Sequence, residues 1–348
     1  MEQQELSATV IFLISLLFLA FFYLAIIIVL NRKIAPKGAK IISEPEVLDK
    51  TLPQTIRLIT WNIGYAGLGE ESDFLIDGGK HLLPPSKKIV QKNLEAIKSE
   101  LQQIKADIFL LQEVSEKSFL SRNVDVLREV TSIFMKYFII FRPDFASIGL
   151  PYPFKIKHGT LSLAKTNPAL TVVKTLPFEP KPLGGIFHRH YALQVNYFDI
   201  AGNDKQWVII NLHLAAFDEN GATRQKQFDA VFAFAEQEYK KDNYVILGGD
   251  WNMELTNSNF PHKTEEKYLF WKIPFPFERL PKNWQIGINK KTPTVRSNQK
   301  PYVAGENYTA IIDGFITSPN VQINEIKTFN NDFKYTDHLP IIGTFSTK

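Results

Sequence analysis

The stretch "VILGGDWNME", residues 245 to 254, runs an apolar segment into two glycines and then sets Asp250 and Asn252 two positions apart. Two readings are open. Gly-Gly-Asp and Asn are favoured wherever a strand must end sharply, so the segment reads as a turn. The same residues also put a carboxylate and a carboxamide at the tip of a buried strand, where a reaction site would use them. The segment alone does not separate these readings. The other strand ends do.

"LITWNIG" delivers Asn62, "IFLLQEV" Glu113 and "IINLHL" His213; "AIIDGF" carries Asp313, and "YTDHLPIIGTF" opens its strand with Asp337 and His338. Singly, each has a structural explanation: Asn62 a turn cap, Glu113 a helix cap, His213 a satisfied core histidine. Together with Asp250 and Asn252 they form a set, because six strands that end only in Asn, Asp, Glu and His point to convergence on one cleft. Carboxylates and amides are hard oxygen ligands suited to Mg²⁺ or Mn²⁺. The chain has no cysteine, which excludes disulfides, thiol catalysis and Cys-based zinc sites. It carries no nucleophile elbow, no HExxH and no Gly-rich loop ending in Lys-Ser or Lys-Thr. A hard metal with histidines and acids but no nucleophilic side chain points to metal-assisted attack of water on a phosphate ester.

Around these tips the pattern is α/β. "TIRLITWNIG" reads as a strand. Val90, Leu94, Ile97, Leu101 and Ile104 then recur at helical steps, and "ADIFLLQEV" is an apolar run typical of a strand covered on both faces. The order returns as strand "WVIINLHL", helix "ATRQKQFDAVFAFAEQEYKKD" and strand "YVILGGDWN". Further strands are expected at "GTLSLAK", "YALQVNYF", "AIIDGFIT", "VQINEIKTF" and "LPIIGTFST". Strands outnumber helices and helices occur in both halves, which predicts mixed sheets packed together with helices outside.

"TWNIG", "LLQEV", "NLHL", "GGDWNM", "IDGF" and "TDHLP" occur in the order and rough spacing of the endonuclease/exonuclease/phosphatase superfamily, which the chain resembles over residues 55 to 347. That superfamily includes apurinic endonucleases, pancreatic-type deoxyribonucleases, neutral sphingomyelinases and inositol polyphosphate 5-phosphatases. The resemblance implies a four-layer α/β sandwich, two mixed β-sheets packed face to face with helices outside. It also implies roles. Glu113 binds a divalent cation, Mg²⁺ or Mn²⁺, with Asn62 beside it as ligand or positioner and Asp337 on the metal side. Asp250 orients or deprotonates the attacking water, and Asn252 holds a phosphate oxygen or the metal shell. His338, oriented by Asp313, acts as acid/base or donates to the phosphate, and His213 stabilises the charged pentavalent state. Arg189 in "FHRHYAL" matches a phosphate-contacting arginine. His158 in "KHGTLSLAK", grouped with it as phosphate-binding, falls where some deoxyribonucleases have a Glu.

The resemblance does not fix the substrate, because the shared residues serve the phosphate. Residues 8 to 30, "ATVIFLISLLFLAFFYLAIIIVL", run without a charge and as a helix would span about 35 Å, enough to cross a hydrocarbon core of roughly 30 Å. The acidic "MEQQELS" before them and "NRKIAPKGAK" after them fit a retained anchor better than a cleaved signal peptide. By the positive-inside rule they face the catalytic domain to the cytoplasm. The expected organisation is a tail (1–7), a single transmembrane helix (8–30), a juxtamembrane linker (31–54) and a catalytic domain (55–348). The net charge of +4 lies on that domain, since residues 1 to 50 hold five basic and five acidic residues. The domain's basic residues are dispersed, whereas a duplex binder clusters them.

These features favour a membrane-tethered phosphoesterase acting on a phospholipid or sphingolipid headgroup or another phosphorylated small molecule. The alternative is a metal-dependent endo- or exonuclease of the same fold. An inactive binding module is disfavoured because every expected acidic and histidine position is filled. The expected partners are the phosphate-ester substrate and a lipid bilayer at residues 8–30; no protein partner is implied. Two segments have no fixed role: the glycine-rich loop 65–88, which the resemblance places at the cleft mouth, and "YLFWKIPFPFERLPKNW" (268–284), which reads as a folded-in hydrophobic patch, an aromatic substrate wall or a membrane wedge.

Overall fold

The computed structural model describes residues 2–33, 38–46, 49–177, 189–216, 218–257 and 259–348. Four helices stand in chain order: α1 (Glu2–Lys33), α2 (Lys87–Gln103), α3 (Val126–Ser132) and α4 (Ala222–Tyr239). The strands of the first half are β1 (Lys40–Ser43), β2 (Thr51–Leu52), β3 (Thr55–Asn62), β4 (Ile108–Ser115), β5 (Phe138–Ala146), β6 (Lys157–Ala164), β7 (Leu170–Thr175) and β8 (Ala192–Ile200). Those of the second half are β9 (Gln206–His213), β10 (Tyr244–Asp250), β11 (Gln285–Gly287), β12 (Val295–Arg296), β13 (Thr309–Ala310), β14 (Asp313–Thr317), β15 (Val321–Thr328) and β16 (Ile341–Thr347).

One sheet has the order β1-β5-β6-β4-β3-β16-β15 and the other β11-β14-β10-β9-β8-β2, with β7 on β8. Each contains a central parallel pair, β3 with β4 and β9 with β10, flanked by antiparallel neighbours, and β2 adds a second parallel pairing at the β8 edge. The sheets pack face to face through Leu58, Leu110, Ile209, Ile246, Phe315 and Phe345. Helix α2 covers the outer face of the first sheet with the expected Val90, Leu94, Ile97 and Leu101, and Ser86 caps its start by accepting from the Ile89 N–H at 3.2 Å. Helix α4 covers the second through Phe228, Val231, Phe232 and Ala235. The result is the expected α/β/β/α four-layer sandwich.

A polar belt crosses the middle of this core. Gln112 donates to Thr60 Oγ1 at 3.2 Å and, across the sheets, to Asn211 Oδ1 at 2.8 Å. Asn211 donates to the Leu161 carbonyl at 3.1 Å, and Ser162 donates to Gln194 Oε1 at 2.7 Å. Every polar group in the belt that bonds across it is fully buried, so the pairing offsets their desolvation.

The sheets begin before Thr55. Strand β1 pairs with β5, Lys40 opposite Phe141, and β2 pairs with β8, with Leu52 buried between the sheets. The segment 31–54 is therefore pinned to both sheets where a free linker was expected; its residues 34–37 and 47–48 lie outside the described residues. Helix α1 is long and apolar enough to cross a membrane over Ala8–Asn31.

Candidate active site

The two glycines of the opening stretch belong to a strand and not to a turn. Strand β10 runs through Gly248 and Gly249 to Asp250 and pairs on both sides along the way. A Cβ on Gly249 would collide with the Leu212 carbonyl of β9, and one on Gly248 would press into Leu110 of the opposite sheet. Glycine is required here by close approach. The pairing also places Asp250 opposite His213 on one side and Asp313 on the other, so three functional groups stand in one row of one sheet.

Nine of the ten residues singled out above line a single cleft at this edge: Asn62, Glu113, His158, Arg189, His213, Asp250, Asn252, Asp337 and His338. The tenth, Asp313, stands behind His338 and accepts from its Nδ1 at 2.9 Å. The two sheets contribute jointly. Asn62 at the tip of β3 donates from Nδ2 to Asp250 Oδ2 of the other sheet at 3.0 Å, and its side-chain Oδ1 accepts from the Gly64 N–H at 3.0 Å. Asp250 Oδ1 accepts from the Asn252 N–H at 2.9 Å, which needs Asn252 in the left-handed region at φ 50°. The Asn252 amide donates to the Leu214 carbonyl at 2.9 Å.

Glu113 reaches the cleft through a bulge. Its φ is 54°, and the β4–β6 register shifts between Leu111 and Val114. A bulge re-aims a side chain, and the left-handed backbone of a non-glycine residue costs about 1–3 kcal/mol. That strain turns the carboxylate toward Arg189 Nη1 at 3.5 Å and His213 Nε2 at 3.9 Å.

Electrostatics divides the ionisable groups. Burial, with the Asp313 charge opposite, pushes the Asp250 carboxyl up to about 7. Burial alone would lower His338, but Asp313 and Asp250 hold it well above the usual histidine range, so it carries a proton. Burial and the Arg189 guanidinium keep His213 well below that range. Arg189 Nη2 lies 3.0 Å from His213 Nδ1. A guanidinium only donates, so Nδ1 accepts and the neutral ring carries its proton on Nε2, directed toward Asp250 Oδ2 at 3.5 Å.

Four contributors were not foreseen. Asp144 at the end of β5 accepts from Arg189 Nε at 2.9 Å and stands 3.1 Å from His158 Nδ1. Burial would raise its carboxyl, but the Arg189 charge more than offsets this and holds it well below the usual range. Arg189 is thereby tied to Asp144, Glu113 and His213, and His158 stacks on Phe145 beside it. Asp77, from the loop 65–88, shares the Asn298 amide with Asp337, at 3.1 and 2.7 Å; burial, with Asp337 nearby, pushes Asp77 up to about 7. Arg296 lies on the same wall. The strand-end signal that found the other residues also fits Asp144 in "FIIFRPD", but nothing in the sequence marks Asp77. Within 268–284, Trp271, Phe275 and Trp284 are buried; Phe275 and Trp284 pack under α4, and Trp271 forms part of the cleft wall.

A model of the endonuclease/exonuclease/phosphatase family matches residues 59–299. The chain belongs to this family. Members of the endonuclease/exonuclease/phosphatase family hydrolyse phosphate esters and depend on divalent metal. The chain is similar to a solved family protein of Bacteroides vulgatus, at 13% identity over 84% of this chain and 99% of that one, TM-score 0.55. A second, from Bacteroides thetaiotaomicron, shares 14% identity over 85% and 99% of the two chains, TM-score 0.53. Truncated TDP2 of Caenorhabditis elegans shares 15% over 84% and 98%, TM-score 0.50. These likenesses concern the fold. A search of curated protein sequences found no match.

Proposed function

We propose that the chain is a membrane-tethered, Mg²⁺- or Mn²⁺-dependent phosphoesterase that attacks its substrate phosphate with water. The observation that carries this reading is the Asp313–His338–Asp250–Asn62 chain of contacts, which sets a proton-carrying imidazole and a proton-accepting carboxylate around one point in the cleft.

The donors fit a hard divalent cation. Glu113, Asn62 and Asp337 offer oxygen ligands, and Asp77 lies beside Asp337 across the shared Asn298 amide. Asp250, Asp313 and His338 form an acidic and histidine cluster whose ligand atoms all lie within 4.8 Å of one another. His338 itself bridges those two carboxylates as a proton donor, and a protonated imidazole is no ligand. Glu113, with Asn62 and Asp337, is the better metal side. The cation would supply charge neutralisation at the phosphate oxygens.

The protein groups perform the rest. Asp250, fixed by Asn62 and by the Asn252 N–H, accepts the proton of the attacking water. His338 donates from Nε2 to the phosphate or its leaving oxygen, and Asp313 keeps that nitrogen aimed and charged. His213 Nε2–H and the remaining Asn252 N–H donate to the equatorial oxygens as charge builds. Arg189, held by Asp144, fixes the His213 tautomer and lends positive charge to the phosphate.

Helix α1 supports a lipid headgroup or another phosphate ester at the membrane surface as substrate, with the domain on the cytoplasmic side. The test is the full chain with Mg²⁺ against sphingomyelin and glycerophospholipid vesicles, soluble inositol phosphates, plasmid DNA and abasic DNA. Turnover confined to vesicle lipids or inositol phosphates supports the reading. Turnover confined to DNA overturns it in favour of a nuclease.

A further inference from the structure

Helix α1 does not end free of the domain. Tyr23, Ile27 and Asn31 lie on one face at four-residue steps, and this face packs against the turn between β5 and β6. Asn31 Nδ2 donates to the Ile148 carbonyl at 2.9 Å while its Oδ1 accepts from the Ile148 N–H at 2.7 Å, a reciprocal pair. The Tyr23 hydroxyl donates to the Gly149 carbonyl, and Ile27 is buried against Gly149. Tyr23 and Asn31 are separated by about 12 Å along the helix. The turn therefore runs alongside the end of the apolar segment and not beyond it.

The composition of this turn, "SIGLPYPFKI" (147–156), suits that depth. Tyr152 and Phe154 are 70% and 52% exposed, with Pro151 and Pro153 exposed beside them. Aromatic rings of this kind belong at the lipid–water boundary. Its two ends are closed by hydrogen bonds within the turn: Ser147 N–H donates to the Ile156 carbonyl at 2.8 Å, Ile156 N–H to Ser147 Oγ at 2.8 Å and Phe154 N–H to the Pro151 carbonyl at 2.8 Å. The two prolines have no N–H to satisfy. Exposed Lys117 and Lys155 flank it, where anionic headgroups would meet them.

The turn also adjoins the cleft. Its stem carries Asp144 and His158, with Phe145 opposite His158. Phe154 packs on Phe119 at 5.6 Å, and the next residue, Leu120, lines the cleft. On the far side of the helix end, β1 is zipped to β5, so the domain is held to the helix through both the turn and the edge of its sheet.

We propose that residues 147–156 form a foot seated in the lipid interface, which fixes the domain so that the cleft rim with His158 and Leu120 faces the headgroup layer. The substrate phosphate would then enter from the bilayer surface without the lipid leaving it. This inference rests on the tethered reading above.

The absence of cysteine makes the test clean. Full-length Tyr152→Cys, Leu19→Cys and Asp204→Cys, each nitroxide-labelled, are placed in phosphatidylcholine–phosphatidylglycerol vesicles. Collision rates with oxygen and with a water-soluble nickel chelate are then compared. Leu19 is mid-helix, and Asp204 lies in the β8–β9 turn at the end of the sheet away from His213. The expected result is that the labels at 19 and 152 favour oxygen and the label at 204 favours nickel. A label at 152 as nickel-accessible as that at 204, with 19 in lipid, overturns the foot and leaves the tether standing. A nickel-accessible label at 19 overturns both.

Discussion

Asp250 and Asp313 stand directly opposite each other on antiparallel neighbours β10 and β14. Like charges in that position destabilise a sheet. His338 bridges them, with Nδ1 at 2.9 Å from Asp313 and Nε2 at 3.8 Å from Asp250. The repulsion is thus part of what keeps the imidazole charged, and it ties the chemistry to the strand register.

Asp250→Asn keeps the shape of the side chain and removes the proton acceptor. A general-base loss of about 10²- to 10⁴-fold in kcat is expected. Thermal stability should hold or rise, because the facing Asp313 loses its repulsive partner. Steady-state rates on the substrate found by the panel, beside a melt, check both; wild-type turnover would remove Asp250 from the mechanism.

Asp313→Asn acts on His338 at one remove. The Asp313 charge is the main influence raising His338, so its loss should bring the imidazole down toward ordinary values. The alkaline limb of the kcat profile should move to lower pH while KM changes little. An unmoved limb would mean that His338 does not act as the acid.

The metal-free protein should lose stability as pH rises. Asp250 and Asp77 sit at about 7 when folded against about 3.9 unfolded, so between these values the folded state binds more protons and the slope of stability with pH is negative. His338, raised in the fold, adds a loss above about 6.5. His213, lowered in the fold, acts in the opposite sense below about 6.5. Mg²⁺ should flatten the decline and restore activity lost to chelator. Melts from pH 4 to 8 in chelator and in excess Mg²⁺ measure this; coincident curves would count against a cation at Glu113 and Asp337 beside them.

Asp144→Ala should leave the Arg189 charge buried without its nearest carboxylate. Breaking a buried pair from one side costs about 3–5 kcal/mol, and the loss should appear in the denaturation midpoint. Asp144→Asn, which can still accept from Arg189 Nε, should recover part of it.

A chain starting at Gly38 should fold without α1, and one starting at Lys50 should fold less well. The second lacks β1 and uncovers the β5 edge. A Tm lower by at least about 2 °C, equivalent to about 1 kcal/mol, is expected, with more aggregation. Equal melts would show that β1 adds nothing.

The catalytic row is legible because its members stand at or near the tips of strongly apolar strands: Asn62, Glu113, His213 and Asp250 follow runs in which the other polar residues, Thr60, Gln112 and Asn211, are buried between the sheets. Asp144 also stands near a strand end, but Arg142 and Pro143 interrupt the apolar run before it and weaken the signal. Two other features carry no local signal. Strand β1 is defined only by its pairing with β5, Lys40 with Phe141, Ile41 with Ile140 and Ser43 with Ile139, about a hundred residues away in sequence. Asp77 enters the cleft because Tyr65, Leu68 and Phe74 fold its loop inward as a small cluster of their own, and a long-range packing event leaves no periodic mark.

The amide belt through the core bears on how the halves assemble. Each sheet carries its own helical layer, and the two inner faces must meet in one alignment for the strand tips to converge. Apolar faces alone would tolerate sliding by a residue. Gln112 and Asn211 do not: docked out of place, each would be buried without a partner at about 1–3 kcal/mol. The belt acts as a registration key, and replacing both amides by Leu and Met should give a protein that melts no lower but refolds to several inter-sheet alignments, of which one brings Asn62 to Asp250.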